Sequence, residues 1–156
     1  MLNRIFPELI DNHYRGHKFA LWLFYPITFM EVAISLTAIF ARDGGAQSAD
    51  GIPLNTFGSG GAEAVIGVVA ILGLARLLLG SLFVLALFRY RAMIPLMYVL
   101  RLLEYLGHKG IGWMKPIVRA GTPSGSYITA GLFTLCFIGL VLSLRGENQE
   151  NKELSS

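Results

Sequence analysis

The apolar residues of this chain fall in four long blocks separated by short polar or glycine-rich breaks. A helix crossing the ~30 Å hydrocarbon core of a bilayer needs roughly 20 mostly apolar residues at about 1.5 Å rise each. Four segments meet that requirement: Phe19 to Phe40, Ala64 to Phe88, Ala92 to Gly112 and Tyr127 to Leu144. Across 156 residues, 54% are hydrophobic and 15% charged, which fits neither a soluble globule nor a disordered chain. The lone cysteine, Cys136, sits inside an apolar block and excludes a disulfide scaffold. The expected fold class is therefore all-α, a polytopic membrane protein with a four-transmembrane-helix bundle over residues 19–145.

The second and fourth blocks are continuous and rich in Leu, Val and Ile. The third is interrupted by Arg101, Glu104 and His108 and loosened by Gly107, Gly110 and Gly112, and Pro95 fits only in its first turn. A half-inserted or interfacial helix is the alternative there. Residues 1–18 read as an amphipathic cytoplasmic lead-in near the headgroups. A cleaved signal peptide is the poorer alternative for them, because Glu8, Asp11, His13 and His17 precede an apolar stretch that contains Glu31 and exceeds the usual ~7 to 15 residue core. The polar stretch 146–156 reads as a disordered tail.

Lysine and arginine in the flanks set orientation. With the N-terminus inside, seven basic residues (Arg4, Arg15, Lys18, Arg89, Arg91, Arg145, Lys152) face the cytoplasm, and four (Arg42, Lys109, Lys115, Arg119) face out. Both termini are thus expected inside. The first outer loop, with Asp43, Asp50 and Glu63, suits translocation.

Four ionisable residues remain within the blocks: Glu31, Arg76, Arg101 and Glu104. A charge at the bilayer centre costs about 2.5 to 3.5 kcal/mol on insertion scales and rarely faces lipid. These four lie near mid-span, and their formal charges cancel. Thr28, Glu31, Ser35 and Ala38 share one stripe of the first span, and Met97, Arg101, Glu104 and His108 one stripe of the third. Arg101 and Glu104 are placed to pair within their own helix. In span two, Gly67, Ala70, Gly73, Gly80 and Ser81 form a small-residue side with Arg76 at its edge, and span four carries Thr129, Cys136, Gly139 and Ser143 on one face. The expectation is a compact bundle around an ionic cluster, with Thr28, Ser35 and His108 as further polar lining. That cluster is either structural, two ion pairs fixing helix register, or a site in which Glu31 titrates against Arg76 or Arg101.

Other candidates carry less. His13 and His17 are four apart, but two histidines on a short lead read as interfacial residues rather than a metal site. Haem would need facing histidines within spans, and only His108 approaches one, so no cofactor and no metal are expected. There is no Gly-x-Ser-x-Gly elbow, no His-Glu-x-x-His and no phosphate-cradling loop. Gly58, Gly60 and Gly61 read as a flexible turn, and Arg89-Tyr90-Arg91 as an interfacial anchor rather than a nucleic-acid contact. Trp22, Tyr25, Tyr98, Tyr105, Trp113 and Tyr127 include several span-end aromatics suited to headgroup anchoring.

The runs Tyr14 to Trp22 (YRGHKFALW), Ala49 to Leu54 (ADGIPL) and Arg89 to Met97 (RYRAMIPLM) resemble those of a group of small bacterial integral membrane proteins. The resemblance covers most of the chain and implies a bacterial inner membrane, with no activity attached. In outline the four-span plan is also similar to DoxX-type proteins. The central Glu of span one is similar to that of small multidrug-resistance exporters, which lack mid-span basic residues matching Arg76 and Arg101.

The leading expectation is a non-enzymatic inner-membrane accessory or scaffold component, with the bilayer and a membrane-protein partner or second copy as its contacts. A small transporter or ligand-binding protein using Glu31 is the alternative. An intramembrane enzyme acting on lipid or quinone through Glu31, Glu104 or His108 comes third, because no nucleophile or metal set accompanies them.

Overall fold

The computed structural model describes residues 5–121 and 123–145, which form four α-helices: α1 (Lys18–Phe40), α2 (Ser59–Phe88), α3 (Ile94–Met114) and α4 (Ser124–Arg145). No strand occurs among the described residues. The stretch expected to be a polar tail, 146–156, lies outside them. Three helices, α1, α2 and α4, are long and apolar enough to cross a membrane. At about 1.5 Å per residue they measure roughly 34, 45 and 33 Å. Helix α3 is of spanning length at roughly 31 Å but is more amphipathic than the others. Any 18-residue stretch of it contains Arg101, Glu104 and Lys109.

Helix α1 begins where the His17 imidazole accepts the Phe19 amide N–H through Nδ1 at 3.1 Å, covering one of the orphan donors of a helix start. Helix α2 starts at Ser59, five residues before the apolar block that announced it, so Gly60 and Gly61 belong to its first turn rather than to a flexible linker. A short 3₁₀ turn, Arg91–Met93, separates α2 from α3, and Pro95 lies in the first turn of α3, where its missing N–H costs nothing. The helices run up, down, up and down. Helix α1 packs mainly on α2 and also on α4, and α3 packs on α4; α2 and α3 touch little despite their tight connection.

The core lies toward the end of the bundle where α1 begins. Phe24 of α1 stacks on Phe83 of α2, with ring centroids 5.5 Å apart, and meets Tyr98 of α3 edge-on at 5.3 Å. Tyr98 is fully buried, and its hydroxyl donates to the Ala20 carbonyl at 2.6 Å, as a buried phenol requires. Small residues make this packing possible. A methyl at Gly139 would overlap the Tyr98 ring, and one at Gly73 would overlap Ala38. Close backbone approach of this kind is how helices associate where lipid removes the hydrophobic drive between them.

Residues 6–17 of the lead-in cross the same end without forming a regular helix. The Ala92 amide donates to the Asp11 carbonyl at 3.3 Å, and the Tyr14 hydroxyl donates to Ser143 Oγ at 3.0 Å. Burial pushes the Tyr14 phenol up to about 12, against the opposing effect of its bond to Ser143. Phe6, Leu9 and Ile10 remain exposed.

At the opposite end, the loop after α1 is organised around one carboxylate. Asp43 accepts backbone N–H groups from Gly45 (3.0 Å), Gln47 (3.2 Å) and Ser48 (2.7 Å). The turn needs left-handed backbone at Gly44 (φ +61°) and Gly45 (φ +83°). The segment before α4 and the first turn of α4 dock on this loop, with Ala120 N–H donating to Gly51 O at 2.9 Å and Gly125 N–H to Ala49 O at 3.0 Å.

Gly139→Ala is expected to lower thermal stability in detergent by about 1–3 kcal/mol, the usual cost of overpacking. Gly131→Ala, on the same helix with open space around it, should not. Equal effects would show that Tyr98 does not need the gap at Gly139. A second outcome concerns Asp43, whose carboxyl is held down to about 2 chiefly by the Ser48 amide, with the Gly45 amide adding to it and burial opposing them. Its stabilisation of the loop is complete above the ordinary aspartate value of about 3.9 and is lost as pH falls through about 2. Hydrogen exchange at the Ser48 amide should accordingly stay slow in mild acid and lose its protection only near pH 2. Asp43→Asn should weaken that protection across the range.

Candidate functional site

Each of the four mid-block charges reaches the same level of the bundle by simple helix arithmetic. Glu31 stands about 20 Å from the start of α1, Arg76 about 18 Å from the end of α2, and Arg101 and Glu104 about 10 and 15 Å from the start of α3. All three reference points lie at one end of the bundle, and the remaining offset, at most about 10 Å, is within the combined reach of an arginine and a glutamate side chain. Arg101 and Glu104 share a face of α3 at i and i+3, as the spacing indicates.

The four side chains close into a ring of alternating sign. Glu31 Oε1 lies 3.4 Å from Arg76 Nη2, and Glu31 Oε2 lies 3.0 Å from Arg101 Nε. Glu104 Oε1 lies 3.2 Å from Arg76 Nε, and Glu104 Oε2 accepts a hydrogen bond from Arg101 Nη1 at 2.6 Å. Every charge therefore touches two of the opposite sign, and the ring ties together α1, α2 and α3. Only the Arg101–Glu104 contact has hydrogen-bond alignment. The other three are charge contacts, leaving both Glu31 oxygens, Arg76 Nε and Glu104 Oε1 without a hydrogen-bond partner. Coulomb attraction acts at such distances without alignment, and it is strongest where water is scarce.

Burial is unequal around the ring. The Glu31 and Arg101 side chains are 1% and 5% exposed, whereas Arg76 is 27% exposed. The more open edge, Arg76 with Glu104, lies between α2 and α3, the neighbouring helices that touch least. Helix α4 contributes Cys136, a free and fully buried thiol.

The expected polar lining divides. Thr28 and Ser35 are buried on the face of α1 that carries Glu31, but the Ser35 hydroxyl donates back to the Glu31 carbonyl at 2.7 Å, so it serves the helix rather than the ring. Thr28 Oγ1 has no hydrogen-bond partner. His108 is exposed, with Nδ1 3.1 Å from the Glu104 carbonyl oxygen, and the structure does not bring it to the cluster. His13 and His17 do not converge either: His13 precedes the helix, and His17 Nδ1 is engaged in capping α1. Among the described residues no group of three or more His, Cys, Asp or Glu is arranged to hold a metal ion.

Sequence reasoning located all four ring members from their depth, and it paired Arg101 with Glu104 from their spacing. It missed Tyr98 as the largest buried side chain, having placed it among the span-end aromatics. The available signal was its position one residue after Met97, on the buried side of α3. It also missed Asp43, for which Asp-Gly-Gly after a helix was a readable turn signature. Compared with protein-family models, curated proteins and solved structures, the chain matches none.

Arg101→Gln should destabilise the folded protein by about 3–5 kcal/mol, because it strands a buried carboxylate. Arg76→Gln should cost less, since its side chain is partly exposed. Adding Glu104→Gln to Arg76→Gln restores neutrality and should recover part of the loss, which a double-mutant cycle of thermal unfolding in detergent would read. Strict additivity of the two substitutions would contradict a closed ring.

Proposed function

We propose that the protein is a non-catalytic component of a bacterial inner membrane. It crosses four times with both termini inside and acts as an accessory or scaffold whose helix arrangement is held by the ring of Glu31, Arg76, Glu104 and Arg101. The observation that carries this reading is the alternation itself. Each charge is met by two opposite ones from within the bundle and the sum is zero, so the ring balances its own charge without needing a bound ion. In a bilayer the same ring explains how α3, the least apolar helix, crosses: Arg101 and Glu104 enter hydrocarbon already paired with each other and then with Glu31 and Arg76. The inner membrane rests on the resemblance of the three sequence runs to small bacterial membrane proteins, and the orientation on the seven-to-four distribution of basic residues.

A second reading has one observation in its favour. The ring is open at Arg76, the edge between α2 and α3, and a path to that edge would let Glu31 exchange a proton as a transporter's titrating group does. An enzymatic role finds less support, because His108 is exposed beside the Glu104 carbonyl and both carboxylates are engaged by arginines.

Two measurements on reconstituted protein separate these readings. Under the scaffold reading Arg76→Gln lowers folded yield in membranes and leaves α3 partly uninserted, reported by a cysteine at Lys109 becoming accessible from the side that carries the N-terminus. Infrared spectra across mild acid then show no protonated-carboxyl band assignable to Glu31. A band that rises on acidification and vanishes in Glu31→Gln, in a protein that still folds, would favour the transporter reading.

A further inference from the structure

The outer half of α3 and the segment after it do not behave like the inner half. From Leu106 to Gly121 every residue is exposed, and a methyl added at Gly107, Gly110 or Gly112 would meet nothing. This stretch carries large apolar side chains outward, with Trp113 86% and Val118 82% exposed and Met114 and Ile117 beside them. Lys109, Lys115 and Arg119 are interleaved with them, and none makes an ion pair among the described residues. The nearest internal engagement is Lys109 Nζ, 5.7 Å from the centre of the Tyr105 ring. No acidic residue occurs between Glu104 and Glu147. Exposed apolar and aromatic side chains alternating with unpaired cations, at the end of a membrane-length helix, fit neither hydrocarbon alone nor water alone.

We propose that residues 106–119 form an anionic-lipid contact. Trp113, Met114, Ile117 and Val118 enter the headgroup and upper acyl region, while Lys109, Lys115 and Arg119 contact phosphate groups of negatively charged phospholipids. Three features support a lipid occupant. The charge is of one sign, which selects anionic headgroups. The indole of Trp113 at the end of α3 suits the interface, where an apolar ring and a polar N–H are both satisfied. The backbone before α4 is anchored by Ala120 N–H to Gly51 O, so the segment is presented at a fixed height beside the bundle end. The inference is independent of the bundle's orientation, because it needs only the headgroup layer on the side where α3 ends. It also extends the scaffold reading without depending on it, and it accounts for the three cations that weaken the basic-residue asymmetry of the loops.

The test uses the full chain with Trp22→Phe, so that Trp113 is the only indole, in nanodiscs of phosphatidylcholine mixed with phosphatidylglycerol. In each sample one of the two lipids is bromine-labelled. The proposal expects Trp113 to be quenched by both lipids but preferentially by brominated phosphatidylglycerol. Each basic residue should contribute up to roughly a five-fold preference at low salt, and the preference should collapse as salt is raised. Lys109→Gln, Lys115→Gln and Arg119→Gln together should abolish the selectivity and leave quenching by brominated phosphatidylcholine unchanged. Equal quenching by the two lipids in the parent protein, absence of quenching by either, or selectivity that persists in the triple variant or at high salt would each overturn the proposal. The parent protein and the salt series decide it even if the triple variant fails to fold.

Discussion

The arrangement of the bundle depends on the charge ring more than on any apolar contact. An isolated carboxylate or guanidinium taken out of water loses several kcal/mol even after local relaxation, so Glu31 and Arg101, buried at 1% and 5% exposure, admit few helix arrangements. Apolar packing tolerates sliding, because one Leu ridge fits many grooves. A ring in which each charge must meet two partners does not. On the proposed scaffold reading the ring acts as a register pin for α1, α2 and α3, with the aromatic core of Phe24, Phe83 and Tyr98 in the adjacent layer.

That division of labour also explains where glycine is used. Tyr98 is held from one side by the Ala20 carbonyl and from the other by the gap at Gly139, so α3 is drawn toward both α1 and α4 near its start. Gly73 lets α2 approach α1 at Ala38, beyond the ring. Close contacts on both sides of the ring leave the three helices little freedom to separate around it. The looser seam is between α2 and α3, and there the ring's own cross-link, Arg76 to Glu104, takes the place of packing.

Much of this was legible in the sequence, for a physical reason: a charge in the middle of an apolar block has few acceptable surroundings. The four ring residues could be named from depth alone, and Arg101 with Glu104 paired from helical spacing. The closure of the ring could not be read, because helix wheels carry no information about which neighbour a face meets. His108 shows that limit. It lies on the same stripe as Met97, Arg101 and Glu104, and that stripe is buried at its start and exposed at its end, because α3 leaves the bundle as it rises. Ser35 shows another, since a buried hydroxyl on the right face bonded its own helix instead of the site. The glycines read as a flexible turn failed differently. Gly58, Gly60 and Gly61 suggest freedom by composition, yet Gly58 caps α2 and the other two lie in its first turn.

Helix α3 is best understood as two elements sharing one axis. Its first half brings Ile94, Met97, Tyr98 and Arg101 into the core and is fixed there by neighbours on three sides. Its second half has the opposite composition, with three glycines, Lys109 and a terminal Trp113, and it has lost contact with most of the bundle. A uniformly apolar α3 would satisfy a hydropathy criterion more easily but would have no reason to stop at the headgroup layer and no charge to fix its depth. With Arg101 and Glu104 held at mid-height by Glu31 and Arg76, the remaining turns reach the bundle end at a height set from within the protein. The side chains that follow are of the kind that the interface accepts. On the proposed lipid contact, the cations that make α3 a poor transmembrane segment by composition, Arg101 in the ring and Lys109 near its end, would set its two resting points.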